Sequence, residues 1–129
     1  MSVAQQFSGT INATASGYAY SDAISQAGLI GVSMEVQNSS GAALTGFKIQ
    51  VRDYVDNDPA GPVGEWYDFI TDFSAVVDSL LFYVGAISSL ANAAKGHVQF
   101  RTLGRDFRVG AQLASGSGKV FVRGILTSV

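Results

Sequence analysis

The stretch Leu29-Ile30-Gly31-Val32-Ser33-Met34-Glu35-Val36-Gln37 decides the fold. Ile30, Val32, Met34 and Val36 share one parity; Gly31, Ser33, Glu35 and Gln37 share the other. Successive side chains of a strand point to opposite faces, so this period of two predicts a half-buried β-strand. A turn-forming run, Asn38-Ser39-Ser40-Gly41, follows. Residues 44–55 then set Phe47, Ile49 and Val51 against Lys48, Gln50 and Arg52. Two alternating runs about a short turn predict an antiparallel hairpin.

The same alternation recurs on either side. Residues 97–103 place Val98, Phe100 and Thr102 against Gln99 and Arg101, and residues 105–113 put Phe107, Val109, Ala111 and Leu113 on one side. After Ala114-Ser115-Gly116-Ser117-Gly118, Val120 and Val122 oppose Phe121, Arg123 and Ile125. Upstream, residues 5–13 read as an N-terminal arm or edge strand and residues 17–24 as a second short strand. The middle is less regular. Trp66, Phe69 and Phe73 suit one helical face as well as a strand, and residues 79–87 read as a buried strand. About eight strands with Gly/Ser-rich turns predict an all-β, mainly antiparallel fold. The expected architecture is a two-sheet β-sandwich or jelly-roll-like single domain over residues 1–129. Residues 1–13 form its arm or edge strand, and one short helix is allowed within 66–95.

Composition narrows the function. Apolar residues make up 47% of the 129 and charged residues only 14%, against the quarter usual in soluble domains. Such a chain has the apolar surface to fold, and its sparse charge suits a subunit buried against neighbours. With no cysteine there is no disulfide and no thiolate metal site. Residues 1–6 lack Lys, Arg and an apolar run, so no signal peptide is expected. The apolar stretch 75–87 is broken by Asp78 and falls short of the roughly 20 residues of a membrane helix. Charge is uneven: residues 1–78 carry −7 and residues 79–129 carry +5. Either the two halves neutralise each other within one fold, or opposite faces attract and favour self-association. The first is the simpler reading, because sequence halves need not become spatial halves.

Candidate chemistry fails on named residues. His97 is the one histidine and has no adjacent nucleophile motif, and no G-x-S-x-G elbow is present. Gly116-Ser117-Gly118-Lys119 is not a phosphate loop, since Leu113 stands where its first glycine belongs and Val120 where Ser or Thr would hold magnesium. An EF-hand read from Asp56 has Asp58 and Gly61 in place, but Ala60 and Tyr67 replace oxygen donors. Arg101, Arg105, Arg108 and Arg123 interleave with Phe100 and Phe107. However, a pI near 5.1 opposes binding driven by counterion release from nucleic acid. The expectation is a non-enzymatic chain without catalytic residue, metal or cofactor, and with no nucleic-acid or membrane partner.

Certain segments carry a resemblance. They are Gly31-Val32-Ser33-Met34-Glu35-Val36, Leu44-Thr45-Gly46-Phe47 and Gly64-Glu65-Trp66, then the run from Thr102 through Gly104-Arg105-Asp106-Phe107-Arg108-Val109, Ala114-Ser115-Gly116 and the last strand, 120–126. This pattern, over roughly the last hundred residues, resembles small β-sandwich structural proteins of tailed-bacteriophage virions, of the capsid decoration (cement) or tail-associated type. Residues 66–95 depart from it, being longer and more apolar. The resemblance implies a virion structural protein, in the first place a capsid decoration protein that stabilises the particle by subunit contacts. Its partners would be copies of itself and other virion proteins such as the major capsid protein. Phe7, Ile11, Arg101, Arg105, Arg108 and Arg123 are then the candidate interface residues. The alternatives are a tail or head–tail component, or a carbohydrate- or receptor-binding sandwich. For the last, Tyr54, Trp66 and Tyr67, with Tyr18 and Tyr20, would form an aromatic platform, although core packing is the expected place for Trp66.

Overall fold

The computed structural model describes residues 4–25, 31–53, 64–70, 77–78, 82–84, 90–101 and 106–128. They contain β1 (Ala4–Thr14), β2 (Ala19–Tyr20), β3 (Ile24–Ser25), β4 (Gly31–Ser39), β5 (Leu44–Arg52), β6 (Tyr67–Ile70), β7 (Val77–Asp78), β8 (Phe82–Val84), β9 (Lys95–Arg101), β10 (Asp106–Leu113) and β11 (Ser117–Thr127). No described residue is helical, so the helix allowed within 66–95 is not found there; the described part of that span is strand and turn.

Two antiparallel sheets pack face to face as the expected sandwich. One, here the A sheet, runs β1-β11-β4-β9-β8-β7; the other, the B sheet, runs β2-β10-β5-β6, with β3 also pairing β10. The alternation read from 31–37 holds: Val32, Met34 and Val36 are buried, while Ser33, Glu35 and Gln37 face outward. From the B sheet, Phe47, Ile49, Phe107, Val109 and Leu113 meet them across the core. A file of edge-to-face rings crosses between the layers, with Phe7–Phe107 at 5.7 Å, Phe107–Phe100 at 5.5 Å and Phe100–Phe69 at 6.1 Å between centroids.

The predicted hairpin does not form. β4 lies between β11 and β9, and β5 lies between β10 and β6 in the opposite sheet. Residues 40–43 therefore carry the chain across the core. Alternation reports which way a strand's side chains face; it does not name the strand's neighbour. The same holds for β10 and β11. The Gly116-Ser117-Gly118-Lys119 segment is a sheet-to-sheet bend that enters β11. Gly41 (φ 92°) and Gly116 (φ 67°) supply the left-handed backbone of the two crossings, a conformation costly for any residue with a Cβ.

Asn38 fastens this end of the sandwich. Its side chain is fully buried, donates to the carbonyls of Ala42 (2.8 Å) and Leu90 (3.0 Å), and accepts from the Ser40 amide (3.1 Å) and hydroxyl (2.6 Å). Its main chain is bonded to Ala94 and Ala93, and Ala93 is held at φ 66°. Ala114 N donates to Ala43 O at 2.9 Å, which ties one crossing to the other. A buried amide with every polar group partnered defines a corner where a bare apolar turn would slip.

Both sheets pair strands of the acidic half with strands of the basic half, β11 with β4 in one and β10 with β5 in the other. Glu35 of β4 pairs with Arg123 of β11 at 3.1 Å, and Arg52 of β5 with Asp106 of β10 at 2.8 Å.

Candidate functional site

The outer face of the B sheet is a lattice of cations and rings. Outward positions of β5 and β10 bring Lys48, Gln50, Arg52 and Arg108 side by side, because register sets Arg108 opposite Gln50 and Asp106 opposite Arg52. Tyr18 and Tyr20 stack at 6.4 Å. They lie over Gly46 and Gly110, where a Cβ would strike Tyr18 and would come within 2.7 Å of Tyr20 Cε1. Lys48 Nζ stands 4.3 Å from the Tyr18 ring centre and 5.7 Å from that of Tyr20. The Arg108 guanidinium is 3.9 Å from the Tyr20 ring and 4.5 Å from Trp66, and Arg52 is 4.4 Å from Trp66. Cations at these distances are held by the negative faces of the rings.

Two carboxylates complete the lattice. Asp68 takes Gln50 Nε2 at 2.7 Å and Lys48 Nζ at 3.2 Å, and Asp106 takes Arg52 Nε at 2.8 Å. Gln50 uses its other end to accept from Arg108 Nε at 2.8 Å. The Gln50 hydrogen bond, aided by Lys48 against some burial, holds the Asp68 carboxyl below its ordinary value. Burial pushes Lys48 down, but bonding to Tyr20 and Asp68 overcomes it and leaves the ammonium above its ordinary value. Burial lowers Arg108; the Tyr20 hydroxyl opposes this and the like charge of Arg52 adds to it.

The outer face of the A sheet is different. Ser33, Glu35 and Gln37 of β4, His97 and Gln99 of β9, and Phe121, Arg123 and Ile125 of β11 make an open polar surface, with Phe121 and Ile125 about two-fifths exposed. Two shallow depressions, of about 730 and 470 Å³, flank Arg123 against β1. Ser33 Oγ and His97 Nε2 share a 3.1 Å hydrogen bond that no sequence spacing reveals, since 64 residues separate them. Glu35 faces His97 across the ladder but bonds Arg123, so among the described residues no carboxylate orients the imidazole. The main chain around Ser33 is committed to β11 and β9 on either side, which leaves no amides to hold an oxyanion. The pair reads as a cross-strand polar contact.

The candidate residues scatter over this framework. Ile11 is fully buried in the core, and Phe7 is partly buried and packs on Phe107. Arg123 and the exposed Arg101 belong to the A sheet and Arg108 to the B sheet, so these arginines do not form one patch. Arg105, Tyr54 and most of the acidic loop weighed for calcium lie outside the described residues. Among the described residues no cluster of acids and histidine has the arrangement of a metal site. Trp66 is not in the core: it is half-buried on the B face beneath two guanidiniums. Tyr67, the next residue, is exposed. The lattice was hidden in sequence because its members come from four separate segments; the parity of Lys48, Gln50 and Arg52 was its one visible trace.

No family model and no curated protein matches the chain. Among solved structures it is similar to the "Crystal structure of SPBc2 prophage-derived protein YomS", at 19% identity and a TM-score of 0.47, over 98% of this chain and 96% of that one. At that distance the similarity carries no argument about function.

Proposed function

We propose that this chain is a non-enzymatic structural protein of a bacteriophage particle, of the capsid decoration type, joined to its neighbours through β1. One observation carries the assembly part. β1 is the outer strand of the A sheet and pairs only β11 among the described residues, in unbroken register from Ala4 to Thr14. Its sequence, AQQFSGTINAT, has no charged residue and no proline, and its ladder has no bulge. Strands left at a sheet edge are ordinarily protected by one of those devices, because open N–H and C=O groups recruit another strand. An edge of this length with none of those devices suits a chain whose working state is an assembly. The virion setting comes from the sequence resemblance; contacts with copies of itself and with a major capsid protein belong to the same proposal.

Two measurements test it. Quantitative mass spectrometry of purified particles should find the chain in fixed stoichiometry to the major capsid protein; its absence from particles would sink the virion assignment. Sedimentation velocity should show the wild type associating and a Gln6→Lys/Thr10→Lys double variant dispersed with an unchanged Tm. Both positions are exposed, so the fold survives the added charge. Equal association of the two proteins would remove β1 from the reading.

A further inference from the structure

We infer that Arg108 is a receptor for a carboxylate presented by an acidic segment of a partner protein, at a site on the face opposite the A sheet and separate from the β1 edge. Charge bookkeeping on the B face leads there. Lys48 has Asp68 and Arg52 has Asp106, but Arg108 has only the neutral Gln50, and only at Nε. Its two terminal nitrogens find no acceptor among the described residues. A guanidinium held against two rings, with a like charge beside the same indole and no acid of its own among the described residues, is placed to take an anion.

The shape of the site selects the anion. Tyr20 comes from β2 and Trp66 from the approach to β6, on opposite flanks of the β10–β5 pair, and both rings close on the Arg108 guanidinium. Rings and the Nε bond together hold the fork in place before any ligand binds, which lowers the entropy lost on binding. A carboxylate is flat and meets the edge of a guanidinium in its plane by two parallel N–H···O bonds. With Nε held by Gln50, the two terminal nitrogens are left to make that pair. The rings are already covered by cations, which disfavours sugar stacking on Trp66.

Trp66 is the chain's one tryptophan and touches Arg108, so its fluorescence reports the site directly. Titrating the protein with hexaglutamate should give a saturable change in Trp66 emission. Arg108→Gln should weaken it at least tenfold and Arg108→Lys, which keeps charge but loses the fork, by an intermediate factor. Arg123→Gln on the far face should leave it unchanged. Circular dichroism melts of each variant separate loss of binding from loss of fold, and Arg108→Lys carries the test if Arg108→Gln unfolds. The inference fails if no saturable change occurs, if Arg123→Gln weakens binding as much as Arg108→Gln, or if inorganic phosphate competes as well as the peptide. It also fails if unliganded wild type self-associates and Arg108→Gln abolishes that association, because the occupant is then a second copy.

Discussion

The two outer faces of the sandwich carry similar numbers of polar groups and use them differently. On the A face, Arg123–Glu35 and Ser33–His97 are separate pairs between adjacent strands, each of which can break without touching the other. On the B face Asp68, Lys48, Gln50, Arg108, the two tyrosines and Trp66 share partners, so displacing one member unseats several. Independent pairs decorate a surface; coupled ones give it a fixed shape and charge, which is what recognition needs.

The sharpest way to break the contrast is to release the corner that sets one sheet against the other. Asn38→Ala removes one of the two donors on each of the Ala42 and Leu90 carbonyls and the acceptor of the Ser40 amide, and should cost about 3 kcal/mol by chemical denaturation, with both faces losing order together. Next come two glycines. A Cβ at Gly124 in the A sheet would collide with the Ser33 carbonyl and sit 2.9 Å from Met34 Cα, atoms of backbone that cannot move aside. A Cβ at Gly110 in the B sheet meets the Tyr20 ring, which can. Gly124→Ala should therefore cost about 3 kcal/mol and Gly110→Ala about 1 kcal/mol, the latter with a shift in Trp66 emission that Gly124→Ala does not produce. Charge removal should rank in the opposite order by face. Arg108→Gln forfeits two ring contacts and should cost about 1–2 kcal/mol. Arg123, two-thirds exposed, should cost less than about 0.5 kcal/mol when replaced by Gln.

The smallest effect is in pH. The depressed Asp68 carboxyl contributes stability above the ordinary carboxylate value of 3.8, lost as pH falls through its lower native value. The raised Lys48 contributes below its ordinary 10.5, lost as pH rises through its higher native value. Asp68→Asn should flatten the acid limb of the melting profile.

Strand identity was legible wherever one face is buried and the other wet. Met34 against Glu35, and Val122 against Arg123, declare their sides residue by residue. Partnership was not legible. Residues 38–43 read as a hairpin turn because the signal for a tight turn and that for a sheet-to-sheet crossing share the same Asn, Ser and Gly. Asn38 separates them only through Leu90, a partner 52 positions away. Trp66 was expected inside because large rings usually are. It lies outside because Arg52 and Arg108 cover it with the alkyl and guanidinium surface a core would otherwise supply.

The placing of β1 has a consequence in time. Its single described partner is β11, so a ribosome has made residues 4–14 long before it makes residues 117–127. Over that interval Phe7, Ile11 and the open main chain around them have no sheet to join. Entry of β1 into the A sheet must therefore wait for the last strand, and crowded synthesis of many copies would give early β1 segments one another as company before β11 arrives.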